Sequence, residues 1–194
     1  MMAAVLSIEQ EAFDHPLYEK IMLHAMGDRN DHFLAVILSS WLSKQGVLPR
    51  YLGLSLADFR IFMNSQFPGF CINENFRKNE VFTDERMPEK DDLITLFSGY
   101  RAYRSASEIW ISYILTAGCL GSNHLWQDLG LWDRQQLTRL MSINYPALAA
   151  QNKKNMKWKK FLYKQLCSEQ GIYTCRSPSC EVCIDYVVCF GSED

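Results

Sequence analysis

A chain of 194 residues with 48% hydrophobic content is long enough for one buried core and a small appendage, which excludes both a disordered segment and a string of independent domains. The formal charge of −2 argues against a general coat for nucleic acid or membrane. Residues 1–13 hold no basic leader and no long apolar run, so the expectation is a cytoplasmic protein. The longest apolar stretch, 109–120, falls short of the roughly 20 residues that span a membrane, and it predicts a buried helix instead.

Helical periodicity dominates, and the predicted class is all-α, with a helical domain over 1–172 and a cysteine-rich segment over 173–194 packed on it. A first helix is expected over 8–25, broken at Pro16 and stopped by Gly27, with Asp28 and Asn30 positioned to cap the next. That second helix, 31–44, carries Phe33, Leu34, Ile37, Leu38, Trp41 and Leu42 on one face before Gly46 and Pro49 end it. Ser55 caps a third, through Phe59, Phe62 and Met63 to Pro68 and Gly69. Residues 71–86 are polar and unpatterned and read as a mobile connection.

Pro88, followed by Glu89, Asp91 and Asp92, marks a helix start, since carboxylates are favoured at the positive end of the helix dipole. Leu93, Ile94, Leu96, Phe97 and Tyr100 are its inward residues. Ser107 and Glu108 open an apolar helix that runs towards Gly118 and Gly121, ahead of a short segment with His124, Leu125 and Trp126. A helix follows Asp133 to about residue 141, and Pro146 interrupts before 147–151 resumes. The final predicted helix, 155–168, has Trp158, Phe161, Leu162, Gln165 and Leu166 on one stripe and Lys153, Lys157, Lys160 and Lys164 on another; Gly171 ends it.

Four of the seven cysteines crowd into the tail as C-x4-C-x2-C-x5-C: Cys175, Cys180, Cys183 and Cys189. Clustering of this kind in a chain without an export signal points to metal or redox chemistry more than to a disulfide framework. The span is short enough for one loop to bring four sulfurs round one centre. Thiolates select zinc, copper(I) or iron–sulfur clusters over magnesium and calcium. Structural zinc sites usually show two C-x2-4-C pairs separated by a longer spacer, whereas here one C-x2-C pair is flanked at short range by single cysteines, and the spacing is not the ferredoxin run either, so zinc, a cluster and redox thiols all stay open on spacing alone.

Three further stretches carry a family resemblance: GCLGSNHLWQDLGL over 118–131, NYPALAAQNKKNMKWKKFLYKQLC over 144–167 and CRSPSCEVCIDYVVCFG over 175–191. With the cysteine spacing, they make the region from about 88 to 192 closely similar to the NifQ family, which supplies molybdenum for the nitrogenase cofactor. Residues 1–87 carry no such likeness. The resemblance implies a cargo of one molybdenum with three irons and four sulfides, or its 3Fe–4S precursor. It also implies molybdate as the source of molybdenum, with the NifEN scaffold and the NifH iron protein as recipients. Within that reading three cysteines anchor irons and the fourth leaves an exchangeable corner.

Between 134 and 168 lie two arginines, six lysines and no acidic residue, so this stretch holds +8 and the rest of the chain −10. It is either a positive face for molybdate or an acidic partner, or a solvated helix face. No aromatic-basic interleave of a nucleic-acid fold accompanies it. His124 and Cys167 are possible additional ligands, each with a plainer reading as a packed or hydrogen-bonded residue. Cys71 and Cys119 read as ordinary thiols, and His15, His24 and His32 show no partner pattern. Without G-x-S-x-G, P-loop, dinucleotide or H-E-x-x-H motifs, the expectation is a carrier and not an enzyme. The alternatives are a helical interaction protein with a structural four-cysteine zinc and a redox-sensing thiol protein.

Overall fold

A computed structural model describes residues 15–72, 89–119, 121–169 and 186–191. Among these the chain forms α1 (Pro16–Met22), α2 (Asp31–Leu42), a 3-10 turn (Arg50–Gly53), α3 (Leu56–Gln66), α4 (Lys90–Tyr100), α5 (Ser107–Cys119), α6 (Leu125–Leu129), α7 (Arg134–Asn144), α8 (Pro146–Ala149), α9 (Trp158–Glu169) and α10 (Tyr186–Phe190), and no strand. The all-α expectation holds. No helix among the described residues is long and apolar enough to cross a membrane.

The predicted stripe of α2 is wider than expected, because Ala35, Val36, Ser39 and Ser40 are buried along with Phe33, Leu34, Ile37, Leu38 and Trp41. A helix apolar on every side has no face to give to water and becomes the centre of the fold. Its serines are accommodated by donating to carbonyls, Ser39 to Val36 at 2.9 Å and Ser40 to Gly130 at 2.6 Å. Around it, α1 lies against α2, α5 touches α3, α4 and α6, and α4 reaches α8 and α9.

The cap read from the sequence is borne out at Ser55, whose hydroxyl accepts from the Asp58 N–H at 3.0 Å; Asp133, ahead of the helix expected after it, is a cap as well, its carboxylate accepting from the Gln136 N–H at 2.7 Å. Asn30 precedes α2 as expected but makes no side-chain cap. Its amide is fully buried and exchanges two hydrogen bonds of 2.8 Å with Asn144, at the end of α7, while also donating to Ser107 at 2.8 Å. Asp28 completes the knot by accepting from the Asn30 N–H and the Ser107 hydroxyl, both at 2.8 Å, and from Ser105. One polar knot thus joins the starts of α2 and α5 to the end of α7.

Helix α9 begins at Trp158, three residues later than the pattern suggests. Asn155 sits in the left-handed region at φ 52, and Asn152 closes a loop by accepting from the Met156 N–H at 2.8 Å and donating to its carbonyl at 2.9 Å. The short helix α10, which carries the last cysteine of the run, was not anticipated. Residues 73–88, with most of the expected mobile connection and Pro88, lie outside the described residues, as do the start of the first predicted helix and Gly171.

Candidate metal centre

Of the four tail cysteines, the described residues include Cys189; Cys175, Cys180 and Cys183 lie outside them. Cys189 is half-buried in α10, where it and Phe190 pack on the edge of the core. The Lys157 N–H, at the entrance to α9, donates to the Cys189 carbonyl at 2.8 Å, and the Lys157 ammonium donates to the Val187 carbonyl at 3.4 Å. A basic helix start is therefore fastened to the cysteine helix by main-chain and charged contacts together. The adjoining Val187 and Val188 stand exposed.

The possible additional ligands sit elsewhere along the same frame. Cys167 is ten residues beyond Lys157 on α9, about 15 Å along the axis at 1.5 Å per residue. His124 precedes α6, and its N–H donates to the Gln127 side-chain oxygen at 3.2 Å, the reciprocal half of a helix-start box. Helix α6 meets α9 through Lys159, two residues and about 200° of helical turn from Lys157, so α6 and α10 contact different sides of the first turn of α9. No group of three or more histidine, cysteine or carboxylate side chains gathers round one point among the described residues.

The basic run divides into two populations. Lys153, Lys160 and Lys164 are exposed and Lys157 is half-buried, forming the solvated stripe. Lys159 turns inward and pairs with the fully buried Asp128 carboxylate, donating as well to the Gly121 carbonyl at 2.7 Å. Arg134 is half-buried and committed too, spanning the Asn155 carbonyl and side-chain oxygen at 3.0 Å each. The count of charges overstated the free cations because spacing does not tell which lysine finds a buried carboxylate.

Asp128 explains much of the 118–131 stretch. Beyond Lys159 it accepts from the Asn123 N–H at 3.1 Å and the Asn123 amide at 3.3 Å. A Cβ at Gly121 would collide with this carboxylate, and at Gly130, at φ 73, a Cβ would lie 2.5 Å from that of Ser40. Both glycines are therefore required by close approach, the second also by backbone conformation. These residues build the seat of α6.

Cys119 ends α5 next to this seat, fully enclosed, and burial pushes its thiol up to about 12 against the opposing pull of Lys159. A thiol in that state is neither nucleophile nor ready ligand at neutral pH. Native alkylation with iodoacetamide at pH 8, followed by peptide mass mapping, should modify the exposed Cys71 and spare Cys119 until denaturant is added; labelling of both at equal rates would contradict this packing.

These features define an all-helical protein in which a basic helix holds the helix that bears the last tail cysteine. A family model described as NifQ matches residues 33–191. Protein NifQ of Azotobacter vinelandii is 39% identical over 177 residues, covering 86% of this chain and 91% of that protein. The protein NifQ homolog of Sinorhizobium fredii is 34% identical over 169 residues, covering 85% and 73%, and protein NifQ of Rhodobacter capsulatus is 33% identical over 148 residues, covering 76% and 80%. No solved structure matches the chain. The chain belongs to the NifQ family. The match begins well before residue 88, where the sequence likeness was expected to start, because α2 and α3 carry core-packing residues without a motif of their own.

Proposed function

We propose that this protein serves nitrogen fixation as a carrier of a molybdenum–iron–sulfur cluster, held by Cys175, Cys180, Cys183 and Cys189 and donated for assembly of the iron–molybdenum cofactor. The observation that carries the reading is the intact C-x4-C-x2-C-x5-C run inside the region that matches the family. Soft thiolates suit an iron–sulfide core far better than they suit molybdate, a hard oxyanion. Molybdenum held through bridging sulfides with one weakly bound corner is a form that can be passed on.

The frame round Cys189 supports such a role. Its thiol is neither sealed in the core nor fully in solvent, and its helix rests on the entrance to α9 at Lys157, with Lys160 and Lys164 following along that helix. Several thiolates and sulfides sum to an anionic load, and lysines nearby lower its electrostatic cost and attract acidic surfaces. The proposed recipients are the NifEN scaffold and NifH. Their docking would be weakened by added salt if the lysine stripe steers it.

Purification without oxygen should give brown protein containing iron, sulfide and molybdenum. Cys189→Ala should lower bound molybdenum or iron while leaving the helical circular dichroism unchanged, since α10 is attached through main-chain atoms. Colourless protein with one zinc would overturn the carrier reading. Equal loss of both metals in all four single cysteine variants would overturn the exchangeable corner.

A further inference from the structure

The histidines that showed no pattern in the sequence meet in space. His15, ahead of α1, stacks on Trp132 with ring centroids 4.6 Å apart, and His32 of α2 meets the same indole edge-on at 6.0 Å. They line one side of an open cleft of about 750 Å³, whose other side is formed by Trp126 and Gln127 of α6 and Gln136 and Arg139 of α7. Residues of the N-terminal part of the chain and of the stretch 126–139, far apart in sequence, converge here, at a place separate from the cysteine helix.

The hydrogen-bonding state of this lining is asymmetric. The Gln127 side-chain oxygen takes the His124 N–H at 3.2 Å, and the Gln136 oxygen takes the Trp132 N–H at 3.4 Å. Each amide is thereby oriented, and what it has left to offer is its NH2 group. The Tyr18 hydroxyl lies 2.8 Å from His32 Nδ1. Burial holds His32 below the ordinary imidazole range, with Arg139 acting the same way and Asp133 opposing, while burial raises Tyr18. Tyr18 therefore donates, Nδ1 accepts, and the proton of the neutral ring sits on Nε2.

The cleft consequently presents two oriented amide NH2 groups, an imidazole N–H and the Arg139 guanidinium, with Gln45 and Gln135 also in its lining. Asp133 also lines it, but one of its oxygens is committed to the Gln136 N–H at the start of α7. An apolar occupant would strand these donors, and a cation would face Arg139. A small ligand made only of acceptors matches them, and the positive 134–168 run, to which Arg139 belongs, favours an anion.

We propose that the cleft between α1–α2 and α6–α7 binds a tetrahedral, fully deprotonated oxyanion of the molybdate and sulfate type. The choice of molybdate as probe rests on the carrier reading above; the site itself rests on the donor set. In the carrier, such a site would collect free oxyanion away from the thiolates that cannot hold it.

Calorimetric titration of the full chain, prepared without oxygen, with sodium molybdate, sodium sulfate and sodium citrate tests this. Saturable binding of about one tetrahedral anion per chain is expected, with the tighter of molybdate and sulfate identifying the source. Arg139→Gln should weaken it by about tenfold or more, the scale of one charge-assisted contact. Gln136→Glu should abolish it, because a carboxylate enters the cleft at a helix position where glutamate itself is favoured, so folding is retained. Cys189→Ala should bind as the parent does. Absence of saturable heat, unchanged affinity in Gln136→Glu, or binding of citrate alone would overturn the site. Loss of molybdate binding in Cys189→Ala with no effect of Arg139→Gln would move the anion to the tail, overturning the cleft while leaving the carrier reading intact. Iron-free protein that still binds molybdate in the cleft would do the reverse.

Discussion

Replacing Asp128 by alanine is expected to lower stability by about 3–5 kcal/mol, the usual result of removing one partner from a buried ion pair. The pair joins α6 to α9, and the Asp128 side chain is fully shielded whereas that of Lys159 is 17% exposed. Alanine strands the Lys159 ammonium beside the Gly121 carbonyl and empties the space that Gly121 was kept small to provide. The Asn123 N–H and amide lose their acceptors as well. For a domain of this size the melting temperature should fall on the order of 10 °C. Lys159→Met should be similarly harmful, since the carboxylate then stays buried with only Asn123 as donor. The double variant Asp128→Ala, Lys159→Met should be less destabilised than the sum of the two single changes. Urea unfolding followed by circular dichroism measures all three, and a loss below about 1 kcal/mol in Asp128→Ala would show that the pair is not buried as described.

Asn144→Ala should be the second most damaging change considered. Asn30 and Asn144 face each other at zero exposure through two mutual bonds, and Asn144 also donates to the Leu140 carbonyl at 2.9 Å. Truncation leaves the Asn30 oxygen without its donor in a dry site, at a cost of about 1–3 kcal/mol for the stranded group, with a cavity term added. Asn144→Asp should not rescue it, because the carboxylate cannot donate and adds a charge to a knot that already contains Asp28. If the reciprocal pair is the cause, the double variant Asn30→Ala, Asn144→Ala falls short of additivity by about 1 kcal/mol or more in the same unfolding experiment. Strict additivity would show that the two amides act independently.

Much of the helical frame was legible because it rests on local chemistry. Ser55 and Asp133 announce helix starts by residue type, and the stripe of Leu93, Leu96 and Phe97 on α4 is buried as its spacing suggests. Long-range pairing escaped the sequence. Asn30 looked like a cap and instead spends its amide on a residue 114 positions away. Lys159 looked like one more surface lysine among six, yet its partner is 31 positions upstream. His15 and His32 looked unrelated because what unites them is the packing of α1 against α2 and the placement of Trp132, neither of which has a periodic signature. Of the tail site, the spacing of the cysteines was plain from the start. The seat of Cys189 on the entrance to α9 depended on a five-residue helix too short to leave a pattern.

Beside the packing of Phe190 on the core, the hold on that last helix uses atoms every amino acid possesses: the Cys189 carbonyl takes an amide hydrogen, and the Val187 carbonyl faces an ammonium. Grips of this sort are blind to the identity of the residues they hold. The thiol at this position can therefore be swapped and the neighbouring valines redecorated without unhooking the segment, which makes chemistry at the tail separable from architecture.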